Sequence, residues 1–127
     1  MIDHVSIPVR DLEAAAAFYD AVLMPLQLAR LVSRQTTVGY GKRYPEFWLN
    51  LRPEVVAVGN PGAHVCLRAA DAAAVRAFHA AALDRGASDD GAPGERSGAT
   101  TTYFGAFIID PDGSKLEVVS FPRPPAA

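Results

Sequence analysis

A single cysteine stands among 127 residues. Cys66 cannot close an internal disulfide, which excludes a disulfide-stapled scaffold and fits a reducing compartment. Charge is sparse and balanced: 12 Lys and Arg oppose 14 Asp and Glu, for a net charge of −2. Without a basic run there is no electrostatic footprint for nucleic acid. No apolar stretch reaches the length that spans a bilayer, so no membrane partner is expected. Met1 leads straight into strand-like sequence, with neither the basic nor the apolar region of a signal peptide. There is no phosphate-cradling glycine loop, and no serine or cysteine sits in an activated setting, so covalent nucleophilic catalysis has little support. The expectation is a cytoplasmic protein whose partner is a small-molecule substrate.

What is present is an ordinary globular composition, half apolar and one fifth charged. The length suits one domain, residues 1–127, with a single hydrophobic core. Within it the chain repeats itself. Displaced by 60 positions, His4 falls on His64, Val5 on Val65, Asp11 on Asp71, Phe18 on Phe78 and Leu23 on Leu83. The alanine matches between the two segments count for little, because both are alanine-rich. The other five keep one order: a strand led by histidine, an Asp, then an apolar-periodic helix. Such a repeat decides the fold before any finer reading. It predicts two modules, about 1–52 and 63–121, joined near 53–62 and followed by a proline-rich tail, 122–127.

Residues 2–9 alternate with the two-residue period of a strand. Val5, Ile7 and Val9 share one face; Ile2, His4 and Ser6 share the other. Asp11 caps a helix with Glu13 in its first turn. Leu12, Ala15, Ala16, Tyr19, Val22 and Leu23 form its apolar stripe, and Pro25 marks its end. Three strand-like runs follow, to about Leu51. In the second module Val65 and Leu67 face one way, and His64 and Cys66 the other. Asp71 caps a helix with Val75, Phe78, Ala82 and Leu83 inward, and Gly86 suits its stop. Residues 86–102, rich in Gly, Ser, Asp and Thr, read as the least ordered part. Two apolar runs, 103–109 and 115–121, flank Asp110-Pro111-Asp112-Gly113, a strong hairpin signal. Each module reads βαβββ, an α+β fold in which helices cover the outside of a curved mixed sheet around a cleft.

The strand phases then place His4 and His64 on the face away from the helices. Two equivalent histidines brought to one centre are suited to a metal ion. Glu117 lies between apolar neighbours in the last strand, and a buried carboxylate needs a partner.

These pieces resemble the vicinal-oxygen-chelate superfamily, which includes glyoxalase I, extradiol dioxygenases, methylmalonyl-CoA epimerase and the bleomycin- and fosfomycin-resistance proteins. The resemblance covers roughly residues 2–121. It rests on the strand from His4 to Leu12 with Phe18 and Tyr19 in the next helix, on Gly62 to Val65, and on Ala106 to Glu117. The last stretch, with a Glu four residues beyond the turn glycine, is the most specific. The resemblance implies that His4, His64 and Glu117 hold one divalent metal ion (Fe, Mn, Zn or Ni), Glu117 being also the catalytic group. The fourth family position falls in Phe47-Trp48-Leu49-Asn50, where glyoxalase I has a glutamate and this chain offers Trp48 or a neighbour. That leaves two histidines and a carboxylate with open positions, an arrangement suited to Fe(II) or another ion that binds substrate or oxygen directly. The family also implies a homodimer, with the site built within one chain or between two.

Trp48, Tyr44 and Tyr103 are candidates for a substrate pocket, and Arg43 for holding an anionic substrate. The simpler accounts are core aromatics and an exposed turn arginine. His79 and Cys66 read as packing residues. Two functions stand: a metal-dependent lyase, isomerase or dioxygenase acting on a small oxygenated metabolite, or a metal-free resistance-type binding protein. The His4, His64 and Glu117 set favours the first; Trp48 favours the second.

Overall fold

Asp11 and Asp71 begin the two helices in the same way. Each has extended backbone, and its carboxylate accepts the N–H of the residue three positions on, Ala14 at 3.0 Å and Ala74 at 2.9 Å. That satisfies one of the donors a helix start leaves free. The computed structural model describes residues 1–56 and 62–122. The first module holds β1 (Val5–Val9), α1 (Leu12–Leu23), a 3₁₀ turn (Met24–Leu26), β2 (Ala29–Ser33), β3 (Thr37–Gly41) and β4 (Phe47–Leu51). The second holds β5 (Val65–Arg68), α2 (Ala72–Asp84), β6 (Ser88–Ser97), β7 (Thr102–Ile109) and β8 (Lys115–Ser120). Part of the expected joint, and the tail beyond Pro122, lie outside the described residues.

The two modules have one topology. Their sheets run β1-β4-β3-β2 and β5-β8-β7-β6, each with a single parallel pair (β1 with β4, β5 with β8) and antiparallel neighbours. The expected α+β fold of two βαβββ modules with mixed sheets is therefore present. Ile7, Val9, Val38, Tyr40, Phe47 and Leu49 are buried on the face packed by α1. Ala106, Ile108, Leu116 and Val118 are buried on the face packed by α2, and the two helices also pack on each other. One hydrophobic core thus draws on both modules. Its fully buried Leu, Val and Phe side chains contribute roughly 1.5–3 kcal/mol each. No helix among the described residues is long and apolar enough to cross a membrane.

The segment 86–102 departs from expectation, because most of it is β6. Its Gly91, Pro93 and Gly94 break the alternation that marks a strand. The pairing with β7 survives through register shifts between Asp89 and Gly91 and between Gly91 and Gly94. Arg96 braces the irregular stretch by donating to the carbonyls of Ala92, Gly94 and Gly105. His79 of α2 is buried, and its Nε2 lies 2.9 Å from Asp89 of β6.

A polar clasp joins the modules. The turn after β7 forms as expected, with Gly113 at φ +95°. Asp110 Oδ1 accepts the N–H groups of Asp112 and Ser114 at 2.9 and 2.8 Å. Its Oδ2 accepts the buried Tyr19 hydroxyl of α1 at 2.5 Å. Arg10 reaches the same turn, donating through its backbone N–H and Nε to Asp112 and through Nη2 to the Pro111 carbonyl. Tyr19→Phe leaves part of a buried carboxylate without a donor and should lower the unfolding free energy by about 1–3 kcal/mol, read as a shift of the urea midpoint. Burial raises the Asp110 carboxyl above its ordinary 3.8, against the pull of the Tyr19 hydroxyl and the Ser114 N–H. A raised folded value means that its stabilising contribution is complete below 3.8 and is lost as pH climbs through that value. Urea unfolding across a pH series should therefore show Asp110→Asn gaining on wild type from pH 3.8 upward, levelling once the folded value is passed.

Candidate metal centre

Glu117 sits in mid-β8, and the two-residue period turns it away from Leu116 and Val118, which enter the core. Its residue surface is only 7% exposed. Parallel pairing sets Cys66 of β5 beside it and antiparallel pairing sets Phe107 of β7 on its other side. His64, just before β5, donates from Nε2 to Oε1 at 3.1 Å, and the Tyr103 hydroxyl donates to Oε2 at 3.3 Å. The Phe107 ring meets the imidazole edge-on, with centroids 5.9 Å apart. Lys115 is turned to Asp90 at 2.9 Å. Among the described residues no Lys or Arg lies within ion-pair distance of Glu117. A nearly buried carboxylate is thus matched with an imidazole, a phenol and a thiol, and with no fixed cation.

His4 lies on the equivalent face of the other sheet. Its Nδ1 is 2.8 Å from Asp3 Oδ1, and Asp3 Oδ2 accepts the Tyr44 hydroxyl at 3.2 Å. These two contacts hold the Asp3 carboxyl below the ordinary aspartate value. An imidazole that gives its Nδ1 proton to a carboxylate keeps the Nε2 lone pair for another group, which is how ligating histidines are commonly oriented. Beside His4 is a hollow of about 440 Å³, lined among others by Ser6, Arg34, Thr37, Trp48 and Asn50.

One chain therefore brings together two of the three expected ligands. His64 and Glu117 touch, whereas His4 stands on the other sheet, and the described residues of one chain contain no group of three His, Cys, Asp or Glu able to hold a metal. Of the pocket candidates, Trp48 and Tyr44 line the His4 hollow, Tyr44 also donating to Asp3, and Tyr103 supports Glu117. Arg43 is exposed in the turn before β4 and does not line the hollow. Asp3 and Arg34 escaped the sequence reading. Asp3 adjoins His4 but shows no periodicity, and Arg34 sits in a turn where arginine is unremarkable.

The Glyoxalase/Bleomycin resistance protein/Dioxygenase superfamily model matches residues 1–118. No curated protein matches the chain. A glyoxalase/bleomycin resistance protein from Albidiferax ferrireducens T118 is 30% identical, with 94% of this chain and 98% of that one covered at a TM-score of 0.82. A glyoxalase-related enzyme from Fulvimarina pelagi has 16% identity, coverage of 96% and 88%, and a TM-score of 0.71. The fosfomycin resistance protein FosX from Listeria monocytogenes has 12% identity, coverage of 96% and 93%, and a TM-score of 0.68. The last two likenesses concern the fold.

Cys66 gives a direct check on this face. Desolvation, then the Glu117 carboxylate, pushes its thiol from 9.0 up to about 12. At a given neutral pH that leaves roughly a thousandfold less thiolate than an ordinary cysteine would have. Native protein should label slowly with a disulfide reagent although Cys66 is partly open to solvent. Glu117→Gln, which removes the neighbouring negative charge, should speed labelling several-fold.

Proposed function

We propose that this chain, which belongs to the Glyoxalase/Bleomycin resistance protein/Dioxygenase superfamily, is a metal-dependent enzyme acting on a small oxygenated metabolite that offers adjacent oxygens to a divalent ion. The observation that carries this reading is Glu117: a nearly buried carboxylate on the polar face of its sheet, 3.1 Å from His64 and with no Lys or Arg at ion-pair distance among the described residues. Two nitrogen donors and one carboxylate suit Fe, Mn, Zn or Ni. His64 and Glu117 would hold the ion from one side and His4, oriented by Asp3, from the other. When bound, the ion would supply Lewis acidity to substrate oxygens.

The chain's own groups have separate tasks. Glu117 Oε2 is the proton-accepting position on this face, and the Tyr103 hydroxyl fixes its direction. Such a carboxylate serves a lyase or isomerase that moves a proton, whereas a dioxygenase uses it only as a ligand. Phe107 is the cross-strand neighbour of Glu117 and packs on the His64 ring. The polar faces of both sheets look away from the helices, so His4 can meet the His64 and Glu117 pair when a second copy applies its first module to this second module. A homodimer with each site shared between protomers follows. A cytoplasmic setting accords with the lone thiol.

The second reading is a metal-free binding protein of the resistance type. Trp48 supports it, because its indole covers Gly39: a Cβ there would lie 2.9 Å from Cζ3 and 3.0 Å from Cε3. That packing makes Trp48 a fixed aromatic surface where a fourth ligand would otherwise stand.

Anaerobic titration with Zn(II), Mn(II), Ni(II) and Fe(II) separates the two. Wild-type protein should bind one ion per protomer, and His4→Ala and His64→Ala should each abolish stoichiometric binding without loss of fold. Unfolding the two variants together and refolding the mixture should restore about a quarter of the wild-type sites, because half the dimers are mixed and each mixed dimer carries one intact site. Restoration of none would place the site within one chain. Wild-type binding no tighter than that of His64→Ala would remove the metalloenzyme reading and leave the binding protein.

A further inference from the structure

Among the described residues Arg34 has no anion at ion-pair distance. Arg10 is taken by Asp112, Arg30 by Asp20, and Arg96 by backbone carbonyls. The guanidinium of Arg34 has no hydrogen bond or ion pair among the described residues; it lies over the Trp48 ring, 5.8 Å from its centroid. Arg68 and Arg76 also stack on rings, over Phe121 and Phe104. What distinguishes Arg34 is its place, in the hollow that also holds His4.

The Asp3 carboxylate also lines the hollow but is taken by His4 and Tyr44, and the strand residues beside Arg34 and Trp48 present neutral polar groups. Ser6, Thr37 and Asn50 point into the hollow because their strand neighbours Ile7, Val38 and Leu49 point into the core. Pairing sets Ser6 and Gly39 on either side of Trp48, and Thr37 opposite Asn50. None of these three polar side chains has a hydrogen-bond partner among the described residues. Trp48 cannot shift toward the strand without striking Gly39, and a Cβ on Gly39 would also lie 2.8 Å from Pro45 Cβ. The indole therefore rests directly on the strand at Gly39. A guanidinium stacked on a ring spends its face on the contact and keeps its in-plane N–H donors free, a fork that matches a carboxylate. Neutral hydroxyl and amide groups alongside suit uncharged oxygens.

We propose that Arg34, carried on Trp48, anchors the carboxylate of the substrate, and that the substrate is a small carboxylic acid bearing further hydroxyl or carbonyl oxygens. Ser6, Thr37 and Asn50 bind those neutral oxygens. The assignment deepens the reading given above, since His4 belongs to the same hollow, but the recognition itself needs no metal.

Trp48 is the sole tryptophan of the sequence, so its emission reports this hollow directly. The test uses the 127-residue chain freed of metal with a chelator, titrated with mandelate and with its neutral counterpart mandelamide. Mandelate should shift Trp48 emission saturably, and mandelamide should bind about tenfold more weakly or worse. Arg34→Gln should lose about tenfold or more in mandelate affinity, leave mandelamide unchanged, and keep the wild-type circular dichroism. Added salt should weaken mandelate binding in wild type alone. Equal binding of the two probes, unaltered mandelate affinity in Arg34→Gln, or an unresponsive Trp48 would each overturn the assignment. Because the titration is metal-free, its outcome is separate from that of the metal titration.

Discussion

The whole arrangement depends on the period of the leading strands. A strand presents alternate residues to opposite faces, and in β1 and β5 the apolar phase falls on one face only. Val5, Ile7 and Val9 on one sheet, and Val65 and Leu67 on the other, pack on or beside the core that the helices close. The opposite phase then carries His4, Ser6, His64 and Cys66. A slip of one residue in either strand would exchange the faces and bury a histidine under a helix. Core packing and site placement are consequently one constraint, imposed twice by the repeat.

Two buried acids show how the same fold treats a structural carboxylate and the one proposed to be functional. Asp110 receives two backbone N–H groups and the Tyr19 hydroxyl, and its surroundings leave little acceptor capacity unused. It terminates one module against the helix of the other. Glu117 receives only side-chain groups that can be displaced: an imidazole at 3.1 Å and a phenol at 3.3 Å. Both are donors that could give way to a metal ion or a substrate proton at modest cost, whereas breaking the Asp110 turn would undo the clasp between modules. The difference lies in the kind of partner, since both residues are nearly buried.

What was legible in the sequence is what local periodicity encodes. The two Asp caps, the helix stripes and the Asp-Pro-Asp-Gly turn depend on neighbours within a few positions, and the 60-residue displacement shows because those local patterns recur in the same order. β6 was not legible, because Gly91, Pro93 and Gly94 erase alternation and the strand exists through its pairing with β7 and the reach of Arg96. The Tyr19–Asp110 bond joins positions 91 apart and has no local signature. The candidate site divides along the same line. His4, His64 and Glu117 stand out by repeat and strand phase, whereas Asp3 and Arg34 acquire a role only when chain folding sets one beside His4 and the other over Trp48.

If the metal reading holds, Trp48 gives the divergence of this chain from a four-ligand site a physical meaning. A carboxylate at that position would face the cleft as one more anion and would leave Gly39 uncovered. An indole there fills the space over Gly39 and carries Arg34, so that corner holds a guanidinium where a ligand carboxylate would stand. On the proposed reading, a coordination position has been exchanged for a recognition element. Three protein ligands leave more of the ion open to substrate, and a cation beside the opening selects which substrate arrives. Those two consequences reinforce each other: the open coordination sphere accepts many oxygen pairs, and discrimination among them falls to the neighbouring guanidinium.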